Sequence, residues 1–137
     1  MRPDRIIIGE VRGEEAFDLL QAMNTGHDGS MCTIHSNTPG ECLSRLESLF
    51  LYSGFDVPLK AVRNQMCTAI DFIIQLDRDR DGNRIVSRVA EVSNMEGEII
   101  LLQDLGNRVD GEFVFNGLVP KRMPTFIEYG LGNDFFL

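Results

Sequence analysis

Arg5-Ile6-Ile7-Ile8-Gly9-Glu10-Val11-Arg12 is the stretch on which the reading of this chain turns. Three consecutive isoleucines between Pro3 and Gly9 leave no polar face, the pattern of a short strand in a parallel sheet covered on both sides. Glu10 follows the strand's end, where open α/β sheets place their ligands, and Gly9 beside it leaves room for a close approach. Downstream, Glu14 and Glu15 suit a first helical turn. Ala16, Leu19, Leu20 and Met23 then recur on one helix face, and Gly26 supplies a stop. Residues 30–34 read as a second short strand. Thr38-Pro39-Gly40-Glu41 is a capping box with proline at the first helical position, opening a helix that runs to about Gly54. Its stripe of Leu43, Leu46, Leu49 and Phe50 faces a core, and a further helix from Pro58 presents Leu59, Val62, Met66 and Ile70 in the same way. Residues 1–70 thus spell βαβαα.

From Asp71 the hydrophobic period changes to two. Phe72, Ile74 and Leu76 alternate with their neighbours, and Asp81-Gly82-Asn83 has hairpin-turn chemistry. Returning strands are expected at 85–92, 99–102 and 112–115, separated by turns at Glu96-Gly97 and Asp110-Gly111. Pro120 and Pro124 leave space for one short helix at 125–129. Residues 71–137 therefore read as an antiparallel extension of the same domain, with Phe113, Phe115, Phe126, Phe135 and Phe136 completing the core or, alternatively, forming a docking patch.

Composition excludes several function classes. With 21 acidic against 13 basic residues the formal charge is -8, which opposes a sequence-independent grip on a nucleic-acid backbone. The three cysteines, Cys32, Cys42 and Cys67, show no C-x-x-C spacing and read as reduced core thiols of a cytoplasmic protein. No apolar run approaches the ~18 residues of a membrane span, and Arg2, Asp4 and Arg5 occupy the place of a signal-peptide core.

Few residues can carry chemistry. Glu10 can orient and deprotonate an attacking water, although a single acid after a strand is equally a capping or surface carboxylate. His27 and His35, the only histidines, flank the second strand, and imidazoles there can bond a phosphate oxygen or simply serve as loop hydrogen-bond partners. Arg12 can pair with Glu10, turn toward a phosphate, or balance Glu14 and Glu15. A zinc site on Glu10, His27 and His35 does not match standard ligand spacing, so no metal site is assigned. Asp77-Arg78-Asp79-Arg80-Asp81 reads as solvated hairpin surface.

The order of these residues carries more than each alone. Arg2-Pro3-Asp4-Arg5-Ile6-Ile7-Ile8-Gly9-Glu10-Val11-Arg12-Gly13 resembles the atypical Walker B segment of the secretion-superfamily traffic ATPases. Gln21-Ala22-Met23-Asn24-Thr25-Gly26-His27-Asp28-Gly29-Ser30 and Thr33-Ile34-His35-Ser36-Asn37 resemble that family's His box. Ala69-Ile70-Asp71-Phe72-Ile73-Ile74-Gln75-Leu76 and Glu91-Val92-Ser93-Asn94-Met95-Glu96-Gly97-Glu98 are similar to its CpaF-like branch, which drives tight-adherence pili, and the likeness weakens after Leu105.

The resemblance implies a partial RecA-like P-loop NTPase core with a carboxyl-terminal antiparallel β extension. It implies Glu10 as the catalytic glutamate, nucleotide-facing positions at His27, His35, Arg12, Gly9, Thr25 and Gly26, and a match of Glu15 to the Walker B extension. It further implies ATP and Mg²⁺ as ligands of the complete protein, and a hexameric ring in the cytoplasm docked peripherally on an inner-membrane platform protein. Lys60 and Lys121 are the only lysines and neither lies in a G-x-x-x-x-G-K-[ST] loop. Without that loop the chain is expected to bind no nucleotide tightly and to hydrolyse none. The family's sequence already reads Met-Arg-Pro-Asp here, so Met1 is expected to be an internal methionine and the chain a carboxyl-terminal fragment, whose first strand exposes an unpaired edge and apolar surface that favour self-association. The alternative is a non-catalytic oligomerisation or docking module.

Overall fold

The structure, a computed structural model, describes residues 2–137, so the reading of Met1 lies outside the described residues. The chain divides into two compact units: the residues up to Ile70 together with Met95–Ile100, and Asp71–Asn94 together with Leu101–Leu137.

In the first unit β1 (Ile7–Ile8) leads to α1 (Glu15–Asn24), β2 (Met31–Cys32), α2 (Pro39–Tyr52) and α3 (Leu59–Ala69). The strands pair in parallel with Ile7 opposite Met31 and Ile8 opposite Cys32. The three helices pack on one another around Ala16, Leu19, Leu20, Leu46, Phe50, Val62 and Met66, all at most 2% exposed. Burying each large apolar side chain contributes roughly 1.5–3 kcal/mol, so these contacts account for most of what holds the unit together. Polar contacts fix the helix pairs. Gln21 donates to Gln65 at 3.2 Å between α1 and α3. Arg63 of α3 reaches both carboxylate oxygens of Glu47 on α2, at 2.7 and 3.2 Å. The expected capping box forms with a variation: Thr38 Oγ accepts from the Glu41 N–H at 3.1 Å, while the Glu41 carboxylate accepts from the N–H of Asn37, one residue upstream of the cap.

The first strand corrects an expectation. It is not covered on both faces: Ile7 is 70% and its partner Met31 58% exposed. Side chains alternate across a strand, so this pair shares one face and Ile8 with Cys32 the other. Only the second pair is half-buried. An all-apolar run specifies a strand but not how many of its faces are covered.

β3 (Phe72–Arg78), β4 (Arg84–Glu96), β5 (Ile99–Val109) and β6 (Glu112–Phe115) form an antiparallel sheet in chain order, followed by α4 (Met123–Glu128), and all of it but the end of β4 and the start of β5 belongs to the second unit. The turns and β6 lie where the alternation places them, whereas β4 runs past the expected 92 to Glu96. β5 extends seven residues beyond the expected 102, to Val109. Gln103, Asp104 and Asn107 interrupt its apolar pattern, but pairing continues from Gly106 opposite Phe115 to Val109 opposite Glu112. Neighbouring strands thus override local composition. Gly106 is required there: a Cβ would lie 2.7 Å from the Phe113 ring and 3.0 Å from the Val114 carbonyl oxygen.

Leu105, Met123 and Phe136 form the buried centre of this unit, with Phe72, Val89, Phe115, Phe126 and Leu131 packed against it. The core reading therefore holds for Phe115, Phe126 and Phe136, whereas Phe135 is 50% exposed. The terminal segment is tied to the sheet by polar contacts. The buried Glu91 carboxylate accepts from the Lys121 N–H at 2.9 Å, the Lys121 ammonium donates to the Ser93 carbonyl, and Arg122 pairs with Asp71 at 2.7 Å. Among the described residues no helix is long and apolar enough to cross a membrane.

Candidate functional site

The site is built where the two parallel strands end. Past β1 the chain continues through Gly9 and Glu10, and past β2 through Thr33 to His35. The strand pairing is prolonged by a bond from the Val11 N–H to the Thr33 carbonyl at 2.9 Å. Glu10 and His35 thus emerge side by side at the carboxyl ends of adjacent strands, the usual ligand edge of an α/β sheet. Glu10 Oε1 lies 3.1 Å from His35 Nε2, and Oε2 lies 2.6 Å from Arg12 Nη2. The carboxylate is 26% exposed, against 74% for Arg12 and 80% for His35. An acid is therefore held back at the protein surface with two exposed partners in front of it. The hydrogen bond from Arg12 holds the Glu10 carboxyl below its ordinary value. Desolvation opposes this, and the charges of Arg12, His35 and Arg45 add to the lowering. Glu10 is consequently ionised and able to accept a proton or orient a water, while Arg12 and His35 can turn toward an anion without leaving a buried charge unpaired.

A second carboxylate holds the loop between β1 and α1. Glu15 Oε1 accepts from the backbone N–H groups of Arg12 at 2.5 Å and Gly13 at 3.1 Å. These bonds, the Arg12 amide first, lower the Glu15 pKa. A depressed folded-state value stabilises the fold above the unfolded-state pKa, and that contribution is lost as the pH falls through the folded value. Acidification below the ordinary glutamate range should therefore free the Arg12 and Gly13 amides. Their NMR shifts are expected to titrate together with a midpoint below that of an exposed glutamate, and Glu15→Gln should abolish the titration; a midpoint in the ordinary range would contradict the bonding described.

The structure brings together Glu10, Arg12 and His35 but not His27. His27 precedes β2, its Nδ1 lies 3.3 Å from the Ala22 carbonyl at the end of α1, and its own carbonyl accepts from Ser30 Oγ at 2.7 Å. Ser30 Oγ in turn accepts from the Ile6 N–H at the start of β1, at 3.0 Å. His27 therefore stands at the amino ends of the strands, and the expectation that both imidazoles gather with Glu10 holds for His35 alone. The reason is the crossover itself, since a helix returning between parallel strands delivers the chain to the opposite sheet edge. Thr25 and Gly26 sit with His27 and finish α1: Thr25 Oγ1 donates to Gln21 O at 2.8 Å, and Gly26 has φ +83°, a conformation that favours glycine. Gly9 is open, with nothing within 4 Å of where a Cβ would lie.

One contributor was not singled out from sequence. Arg45 of α2 acts electrostatically on Glu10. Its only sequence signal is its place six residues after Pro39, on a helix that begins just past His35. Among the described residues no three His, Cys, Asp or Glu side chains cluster as a metal site, and a zinc centre on Glu10, His27 and His35 would need residues from opposite strand ends. The cysteines are free; burial pushes the Cys42 thiol up to about 11 and raises Cys32 as well, so these two are poor nucleophiles.

Fold and site together define a mixed α/β protein in which Glu10, Arg12 and His35 meet at the carboxyl edge of a parallel strand pair. The chain belongs to the type II/IV secretion system protein family, whose model matches residues 1–100. It is 42% identical over 97 residues to the conjugal transfer protein TrbB of Rhizobium radiobacter, covering 71% of this chain and 28% of that protein. It is 37% identical over 76 residues to the protein VirB11 of Agrobacterium fabrum, covering 54% and 22%. Among solved structures it is similar to the VirB11 ATPase of the Brucella suis type IV secretion system, crystallised with sulphate, at a TM-score of 0.61 and 28% identity over 66% of this chain and 28% of that one. The chain thus spans less than a third of the length of these relatives.

Proposed function

We propose that this chain carries the hydrolytic wall of a RecA-like ATPase that powers a type II or type IV secretion machine, with Glu10 as its catalytic carboxylate. The observation that carries the reading is the Glu10 carboxylate set at the strand ends between His35 and Arg12, at 3.1 and 2.6 Å. In the complete protein Glu10 orients the attacking water and takes its proton, and Arg12 and His35 stabilise the terminal phosphate. The amides and lysine that cradle the phosphates and the hydroxyl that holds Mg²⁺ are not encoded in these 137 residues. His27, Thr25 and Gly26 keep their His-box assignment as part of this reading, supporting the nucleotide pocket from the far end of β2. The motif likeness to the CpaF-like branch favours a tight-adherence pilus motor that works as a cytoplasmic hexamer docked on an inner-membrane platform protein.

The test compares this chain alone with a protein that joins it to an upstream segment containing a phosphate-binding loop. No ATP turnover is expected from the first, and multiple turnovers from the second. Hydrolysis by the isolated chain, or none by a folded joined protein, would overturn the reading.

A further inference from the structure

The loop that carries Glu10 is held at the peptide groups on both sides of that residue, and one residue holds both. Thr33 Oγ1 donates to the Gly9 carbonyl at 2.5 Å, and the Thr33 backbone carbonyl accepts from the Val11 N–H at 2.9 Å. The first contact fixes the peptide plane entering Glu10 and the second the plane leaving it, which leaves the Cα–Cβ bond of Glu10 little freedom of direction. We propose that Thr33 is the positioning residue of the site: its hydroxyl sets the direction of the Glu10 carboxylate, while the rest of the loop is kept in register by Glu15.

Three observations favour this over an incidental strand-end contact. Gly9 has no side chain of its own to restrain the turn, and a Cβ there would meet nothing within 4 Å, so the restraint on its carbonyl comes from Thr33. β1 and β2 are paired over only two residues, so the regular ladder contributes little to the order of the segment beyond it. The Thr33 hydroxyl is exposed and has no burial to justify it, yet it points inward along the chain to a backbone acceptor instead of to water. A carboxylate that must meet a water and a phosphate within about 0.5 Å of the productive geometry needs such support.

This inference rests on the reading of Glu10 as the catalytic carboxylate, and its test has one arm that does not. In the 137-residue chain, Thr33→Val removes the hydroxyl at nearly constant shape and Thr33→Ser retains it. The Gly9 carbonyl carbon and the Glu10 amide nitrogen, which belong to one peptide group, are expected to shift in Thr33→Val and stay in place in Thr33→Ser. The Glu10 carboxyl should titrate higher in the valine variant, back toward its ordinary range, as its alignment with Arg12 and His35 loosens. Thr33→Ala, which cannot crowd the strands, is read in the same way should the valine variant not fold. In the joined protein, Thr33→Val should lower kcat about 10-fold with KM changed less than about 2-fold, and serine should restore it. An unshifted Gly9–Glu10 peptide group and Glu10 titration in both hydroxyl-free variants would overturn the positioning role whatever the ATPase result. Shifted resonances with no change in kcat would overturn its link to catalysis.

Discussion

Glu10→Gln in the joined protein is expected to lower ATP turnover by about 10²–10³-fold while nucleotide affinity stays within about 3-fold. The substitution keeps the size of the side chain and its capacity to accept a hydrogen bond from Arg12 or His35, but the amide is no proton acceptor at neutral pH. If Glu10 only shaped the surface, its loss would cost little. Arg12 is 74% exposed, so water would satisfy it once the ion pair is gone. If Glu10 takes the proton of the attacking water, the barrier rises with binding untouched. Turnover of the glutamine variant within about 3-fold of the parent would remove Glu10 from the mechanism. Retention of affinity is equally diagnostic: in the proposed reading Arg12 and His35 face the phosphate, and both remain. A combined loss of affinity and turnover would point to a collapsed loop, which the Arg12 and Gly13 amide shifts would reveal.

How much of this was legible in the sequence differs between site and fold. Glu10 and Arg12 were readable because they follow an apolar strand directly, and two residues of loop leave them few places to go. His35 was readable only as one of two histidines flanking β2, the one that follows its strand as Glu10 follows β1. His27 was not separable from His35 by composition. Its separation arises from the βαβ crossover, and placing the two histidines on one motif hid the fact that the motif spans a strand from end to end. Arg45 was invisible for a different reason: its charge acts from a helix, and which face of α2 turns toward Glu10 depends on packing. The exposure of Ile7 and the length of β5 are likewise tertiary outcomes. An isoleucine run is compatible with one covered face or two, and β5 runs on through Gln103, Asp104 and Asn107 because it is flanked by β4 and, from Gly106 on, by β6.

Phe50→Ala is expected to destabilise the chain by about 3–5 kcal/mol, against less than about 1 kcal/mol for Phe135→Ala. Both residues are phenylalanines in apolar company, and nothing in composition distinguishes them. Phe50 is fully buried on α2, its ring 5.3 Å from Phe17 of α1, which itself stacks at 4.0 Å on Phe55. Removing it opens a cavity among three helices that share no other large aromatic at that depth, whereas the half-exposed Phe135 ring already has solvent on one side. Chemical denaturation of both variants measures the contrast, and similar losses would show that the helical core is not organised around Phe50. The site should register the change as well. Ala16, Leu19 and Leu20 of α1 pack into the same core, and the first turn of α1 carries Glu15, whose carboxylate holds the Arg12 and Gly13 amides. Loosening that helix therefore loosens the loop behind Glu10. Amide exchange at Arg12 and Gly13 is expected to quicken in Phe50→Ala and to stay unchanged in Phe135→Ala, so that a residue in the helical core sets how firmly the loop carrying Glu10 is held.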